Sequence, residues 1–133
     1  MKLDLTSLQK ALSTLDKAIK RYESDPTDEG MRDSVILRFQ YSWELSWKMI
    51  KRQLEEDMPS PPDANEPSYP DLIREAAERG IVANVEGWIR YRKKRNIVSH
   101  TYDQEKAREV YEAALEFSID ATDVLKELTK RNV

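Results

Sequence analysis

The sequence predicts an all-α protein, an antiparallel up-and-down bundle of four long helices and one short helix. Three observations lead to this fold class. Glycine occurs only three times in 133 residues, charged residues make up 35% of the chain, and apolar residues recur at spacings of three and four. Because a chain of this length can bury one hydrophobic core, we expect a single domain over residues 1–133.

Two long helices are predicted in the N-terminal half. The first covers about residues 3–24 and ends before Pro26. Its apolar face comprises Leu5, Leu8, Leu12, Leu15, Ile19 and Tyr22. The second covers about residues 31–57 and carries on one face an aromatic ladder of Phe39, Trp43 and Trp47. We expect this ladder to pack in the core, and base stacking on an exposed tryptophan is the alternative.

Charged residues of the second predicted helix have simple interpretations. Glu44 precedes Lys48 by four residues, which is the favourable order for an ion pair on a helix surface. A structural ion pair therefore accounts for both. Arg38 lies nearer the start of the same helix and can reach a phosphate.

A proline-rich segment follows the second helix. Five of the six prolines lie between Glu55 and Asp71 among acidic residues, and neither a helix nor a central strand tolerates that density. We predict a connecting loop at about residues 57–70. A connection of this length is either a docking loop for a partner or a solvated linker, and we favour the linker.

The C-terminal half contains one short and two further long predicted helices. The short helix covers about residues 71–79 and ends at Gly80, where a left-handed cap costs least. Asn84 and Asp103 are the predicted N-caps of the fourth and last helices. The last helix should bury Ala107, Val110, Ala114, Phe117, Ala121, Val124 and Leu128.

A basic run lies in the fourth predicted helix. Five cations occur within six residues, although the formal net charge of the chain is −3. They are Arg90, Arg92, Lys93, Lys94 and Arg95. Taken alone, such a run is usually a solvated helix face, but a local excess of positive charge also indicates an anionic partner. We predict that the first four residues bind phosphates of RNA or of a nucleotide.

The only histidine of the chain stands close behind this run. His100 follows Arg95 by five residues, and Tyr102 follows by two more. Imidazole exchanges protons near neutral pH, and the planar guanidinium of arginine matches a phosphate, so this set can carry out chemistry on a phosphate. In a continuous helix His100 would point about 140° away from Arg95. A helix end near Ser99 would let the side chains converge.

The number of histidines bears on the oligomeric state. Cleavage of RNA without a metal needs a base for the ribose 2′-hydroxyl, an acid for the leaving oxygen and a cation at the phosphate. One chain provides a single imidazole. If two are required, they come from two chains, so we predict a homodimer whose cleft holds both copies of Arg95 and His100.

The spacing of Arg95, His100 and Tyr102 resembles the signature of HEPN domains, which are small helical domains of prokaryotic ribonuclease toxins. Asn96 fits the polar residue that usually follows the arginine in that family. Residues 35–48 are similar to the helix that such proteins carry upstream. The chain resembles in particular the subfamily encoded beside minimal nucleotidyltransferases, the nucleotidyltransferase substrate-binding proteins.

This resemblance implies a HEPN-like bundle and a metal-independent endoribonuclease, the toxin of a toxin–antitoxin module, acting at a homodimer cleft. Arg95 and His100 would be its catalytic residues, and Asn96 and Tyr102 would support them. In the subfamily, the partner nucleotidyltransferase is the antitoxin and silences the toxin by attaching AMP to the signature tyrosine, here Tyr102. The expected partners are therefore RNA, a cognate minimal nucleotidyltransferase and a second copy of the chain.

Two other functions use the same residues differently. One is a non-catalytic subunit that presents a nucleotide or another substrate to a separate nucleotidyltransferase. The other is a purely structural helical adaptor, in which Arg95 and His100 would matter only for stability.

Composition excludes several further classes of function. Without cysteine there is neither a disulfide nor a thiolate metal site, and one histidine is too few for a dedicated zinc or iron site. We therefore predict no metal and no cofactor. No apolar run approaches the roughly 18 residues expected of a transmembrane helix, and the N-terminus does not resemble a signal peptide. We expect no membrane insertion and a cytoplasmic location.

Overall fold

The structure is a computed structural model that describes residues 2–58 and 68–133. Within these residues no strand occurs, and a 3₁₀ turn, Val98–His100, separates the last two helices. The α-helices are α1 Thr6–Ser24, α2 Glu29–Asp57, α3 Tyr69–Glu78, α4 Val85–Asn96 and α5 Gln104–Arg131. The predicted all-α bundle is therefore confirmed. With 12 residues, α4 is closer in length to the short α3 than to the three long helices.

The predicted apolar faces form the core. Helix α2 packs chiefly against α1 and α5 and also contacts α3 and α4. All seven residues predicted to be buried on α5 are buried, as are Phe39 and Trp43 of the aromatic ladder. Trp47, the third member of the ladder, is only half-buried. The core interpretation is thus confirmed for the first two aromatic residues, while the third lies at the edge of the core.

Helix boundaries around the capping residues differ from prediction. Helix α2 begins at Glu29 because the side chain of Asp28 accepts a hydrogen bond of 3.0 Å from the Met31 N–H. Helix α3 begins at Tyr69 with Pro70 in its first turn, where a missing N–H leaves no helical hydrogen bond unmade. The predicted loop at 57–70 was therefore too long at both ends. Its remaining part, residues 59–67, lies outside the described residues.

Four fully buried aromatic rings join α2, α4 and α5. Phe117 makes edge contacts with Phe39, Trp88 and Tyr91, with ring centroids 5.3, 5.6 and 5.6 Å apart. Trp88 and Tyr91 meet at 5.7 Å in the same geometry. Such edge-to-face contacts stabilise the fold beyond the effect of the apolar area that each ring buries. This aromatic cluster fixes α4 against the centre of the bundle.

Polar contacts of Asp120 fix the start of α4. The Tyr91 hydroxyl donates to Asp120, and the Asn84 amide donates to the same carboxylate at 3.2 Å. Asn84 also caps α4, as predicted, because its side-chain oxygen accepts from the Gly87 N–H at 3.0 Å. A Cβ at position 87 would lie 2.3 Å from the Asn84 Nδ2, so any larger residue there would displace the capping side chain. The Asn84 side chain thus links the start of α4 to α5.

Candidate functional site

His100 lies at the junction of α4 and α5. Helix α4 ends at Asn96, and the 3₁₀ turn that follows ends at His100. The Thr101 hydroxyl closes the turn by donating to the Val98 carbonyl at 2.8 Å. Asp103 then caps α5, as predicted, by accepting from the Glu105 N–H at 2.9 Å. The α-helix thus ends three residues before the position that we considered, Ser99.

The His100 and Tyr102 side chains both project into solvent. His100 is exposed, and Tyr102 is 83% exposed. Their ring centroids lie 6.2 Å apart. Among the described residues, no hydrogen bond or ion pair holds the imidazole. It is therefore accessible to a substrate.

Arg95 points in another direction, toward α2. Its Nε lies 3.5 Å from Oε1 of Glu44, and the two side chains are 35% and 32% exposed. This Nε is shielded from solvent and makes no well-formed hydrogen bond with described residues. The pair is therefore held by charge, and the terminal guanidinium nitrogens remain available to a phosphate.

Glu44 was predicted only as a partner of Lys48, and that ion pair is present at 3.8 Å. Its second partner, Arg95, could not be predicted because the two residues are far apart in sequence and no local spacing links them. The position of Glu44 between Trp43 and Trp47 was the one available hint, since it places the carboxylate beside the aromatic ladder.

Arg95 and Asn96 line a half-open cavity of about 400 Å³ between α2, α3 and the end of α4. The remaining lining residues are Trp43, Glu44, Trp47, Lys51, Ser68, Tyr69, Leu72 and Arg92. His100 and Tyr102 are not part of this lining. The structure thus brings Arg95 and Asn96 together and leaves His100 with Tyr102 on the adjoining turn.

Tyr69 forms a fixed wall of the cavity, which sequence reasoning missed because it placed this residue in a loop. The Tyr69 hydroxyl donates to the Trp88 carbonyl at 2.8 Å and accepts from Trp43 Nε1 at 3.2 Å. The Arg92 guanidinium lies over the ring, 5.2 Å from its centroid. Burial raises the pKa of Tyr69 above its ordinary value. The phenol is therefore protonated at neutral pH and serves as a wall, not as a base.

The cations of the basic run are distributed over two surfaces, because successive helix residues turn by about 100°. Arg90 pairs with Glu116 at 2.7 Å, and this carboxylate raises the pKa of the Arg90 guanidinium. Lys94 pairs with Glu109 at 3.6 Å. Arg92 and Lys93 have no ion pair with any described residue. The run therefore offers less uncompensated charge than its sequence indicates.

The described residues contain neither a cluster for a metal nor a membrane-spanning helix. No group of three or more His, Cys, Asp or Glu side chains in residues 2–58 and 68–133 could hold a metal ion. Over the same ranges, the helices are too short or too polar to cross a bilayer.

Two buried phenols predict a loss of stability at high pH. Burial, and for Tyr91 also its hydrogen bond to Asp120, raises the pKa of Tyr69 and Tyr91 above the ordinary value of 10.0. The folded chain then keeps both protons where the unfolded chain loses them. The contribution is complete below about pH 10 and falls by about 1.4 kcal/mol per pH unit for each phenol above it.

Urea unfolding at about pH 8 and about pH 11 checks this expectation. The Tyr91→Phe variant should lose less stability between the two pH values than the unsubstituted chain. Equal losses in the two proteins would contradict it.

Comparison with known proteins relates this geometry to a family. The family model described as "Nucleotidyltransferase substrate binding protein like" matches residues 3–130. A Haemophilus influenzae protein named "Probable ribonuclease HepT" is 36% identical over an alignment of 140 residues. The match covers 98% of this chain and 95% of that protein.

Two solved structures share the fold. A Haemophilus influenzae structure, described as revealing the fold of a substrate binding domain of a nucleotidyltransferase, is 33% identical with a TM-score of 0.88. The match covers 95% of this chain and 99% of that one. A protein from Thermus thermophilus is 26% identical with a TM-score of 0.76 over 91% of this chain and 98% of its own. The resemblance in the sequence is confirmed, and the chain belongs to the HEPN-type family of nucleotidyltransferase substrate-binding proteins.

Proposed function

We propose that the chain is a metal-independent endoribonuclease, the toxin of a toxin–antitoxin pair, with Arg95 and His100 as its catalytic residues. The main support is the position of His100, an exposed imidazole without a polar partner among the described residues, in the turn that follows the basic end of α4. The name of the Haemophilus influenzae relative, which is 36% identical, agrees with this activity.

In the proposed reaction, neutral His100 takes the proton of a ribose 2′-hydroxyl. The 2′-oxygen attacks the adjacent phosphorus, the bond from phosphorus to the 5′-oxygen breaks, and an imidazolium returns a proton to that oxygen. Arg95 binds the phosphate as charge builds on its oxygens. Asn96 and Tyr102 support this pair, and the other cations of the basic run hold neighbouring phosphates. The products are a 2′,3′-cyclic phosphate and a free 5′-hydroxyl.

The base in this reaction is a neutral imidazole, and the acid is a protonated imidazolium. A single imidazole cannot be in both at once, so the second histidine in our proposal is His100 of another copy in a homodimer. RNA is the substrate, and no metal or cofactor takes part. Because RNA and ATP are both intracellular, we propose that the protein acts in the cytoplasm.

The test of this proposal is RNA cleavage by the purified chain in the presence of EDTA. We expect fragments that end in 2′,3′-cyclic phosphates. Binding of nucleotides without cleavage at any protein concentration would instead favour a non-catalytic subunit that presents a substrate to a nucleotidyltransferase. The cavity beside Arg95 favours this second function, as does the description of the similar Haemophilus influenzae structure.

The proposal includes a cognate minimal nucleotidyltransferase as the antitoxin, with Tyr102 as the acceptor of AMP. The exposure of Tyr102 and its position beside His100 support this role. In the transfer, the phenol oxygen attacks the α-phosphorus of ATP, pyrophosphate leaves and the phenol proton is lost. The added phosphate would then block the site and repel RNA.

Mass spectrometry after incubation with the nucleotidyltransferase and ATP tests the modification. We expect the mass of one AMP group on the peptide that contains Tyr102, together with loss of RNA cleavage. A Tyr102→Phe variant should gain no mass. An unmodified Tyr102 peptide from the unsubstituted chain would refute this part of the proposal.

A further inference from the structure

We propose that the cavity between α2, α3 and the end of α4 seats one unpaired nucleobase that carries an exocyclic amino group. This inference rests on the proposed function only for the position of the cleaved phosphate, which Arg95 would hold at the rim. Nucleobase binding itself can be measured without any cleavage.

The size of the cavity suits a base. A volume of about 400 Å³ lies near the lower end of the range of roughly 300–1,000 Å³ found for small-molecule sites. The cavity is half-open and has both apolar and polar lining. These properties fit a flat heterocycle whose ribose and phosphate remain outside.

The apolar walls of the cavity are pre-organised. Tyr69 is held by its hydrogen bonds to Trp88 and Trp43, and its ring lies 6.4 Å from that of Trp47 in an edge contact. Leu72, which is buried, supplies part of the apolar lining. Trp47 is half-buried and therefore keeps part of its surface for a ligand. Little side-chain freedom is lost when a base enters such a site.

Arg92 adds a flat cationic surface. Its guanidinium lies over the Tyr69 ring, is exposed and has no ion pair with any described residue. The guanidinium is therefore held beside the Tyr69 wall, and its exposed surface can stack on a base. A base between Trp47 and Arg92 would make the stacking contacts typical of single-stranded nucleic acid recognition.

The polar lining selects the kind of base. Glu44 has only acceptor oxygens when ionised, so it can accept from an amino group but repels a carbonyl oxygen. The Asn96 amide has both a donor and an acceptor and can pair with the neighbouring ring nitrogen. Adenine, cytosine and guanine carry an amino group, whereas uracil presents carbonyl oxygens. We therefore expect uracil to bind most weakly.

Titrations of the full chain with mononucleotides test this inference, with tryptophan fluorescence as the readout because Trp43 and Trp47 line the cavity. CMP and UMP form a matched pair that differs mainly at one amino or carbonyl group, and ribose 5-phosphate is the control without a base. We expect CMP to bind at least about fivefold more tightly than UMP, and both to bind more tightly than ribose 5-phosphate. Equal affinities for all three ligands would mean that the base makes no contribution to binding, which would overturn the inference.

Three variants locate the binding. Arg92→Gln and Trp47→Leu should each weaken CMP binding by about fivefold or more. Glu44→Gln should remove the difference between CMP and UMP, which a merely structural role would not do. Arg74→Gln is the matched control, since Arg74 is an exposed arginine of α3 that pairs with Asp71 at 3.2 Å and does not line the cavity. Unchanged CMP affinity in both Arg92→Gln and Trp47→Leu would also overturn the inference.

The same preparations separate this inference from the proposed function. Cleavage of RNA without nucleobase binding would leave the ribonuclease proposal standing and refute the base site. Nucleobase binding without cleavage would do the reverse. If both proposals hold, oligocytidylate should be cut faster than oligouridylate. Glu44→Gln should then reduce the ratio of the two cleavage rates.

Discussion

His100→Ala should reduce RNA cleavage by about 10²- to 10⁴-fold, the range typical of removing a general acid or base. The fold should not change, because the exposed imidazole makes no hydrogen bond or ion pair with the described residues. Single-turnover cleavage in EDTA measures the first effect, and a thermal melt measures the second.

The chain offers its own control for this experiment. It contains one histidine, so diethylpyrocarbonate, which modifies imidazole in preference to lysine or tyrosine, should inactivate the unsubstituted chain chiefly through that residue. Arg95→Ala should reduce cleavage as well, because the phosphate loses its cation. A His100→Ala variant that cleaves RNA at the original rate would refute the catalytic assignment.

Phe117→Ala should lower the free energy of unfolding by about 3–5 kcal/mol. The ring is fully buried and meets three other aromatic rings, so its removal leaves a cavity at the centre of the aromatic cluster. Because small domains are stable by about 5–15 kcal/mol in total, this is a large fraction. Urea denaturation followed by circular dichroism measures the change.

Ile119→Ala is the matched control for that substitution. It lies on the same helix, two residues further on, and its side chain is 68% exposed. We expect a change within about 0.5 kcal/mol, as for most surface positions. Similar unfolding midpoints for the two variants would contradict the position that we assign to Phe117 in the core.

The features of the fold that were predicted correctly arise from local chemistry. Asn84 and Asp103 were recognised as N-caps because a short polar side chain bonds the backbone two or three residues ahead. Gly80 has a φ of 80°, the left-handed conformation expected after a helix. The start of α3 was misplaced because the density of prolines hid the fact that Pro70 suits a first helical turn.

The candidate site was predictable only in part. Spacing was enough to single out Arg95, His100 and Tyr102, and it indicated that a helix end near them would matter. Two features depend on tertiary contacts that no spacing encodes, namely the ion pair of Glu44 with Arg95 and the wall formed by Tyr69.

The acidic partners on α5 also affect how salt acts on the protein. RNA binding draws much of its free energy from small ions that leave the phosphates when protein cations replace them. Arg90 and Lys94 are already neutralised by Glu116 and Glu109, so they displace fewer such ions than bare side chains would. The affinity of this chain for RNA should therefore fall less steeply with ionic strength than it would with five unpaired cations.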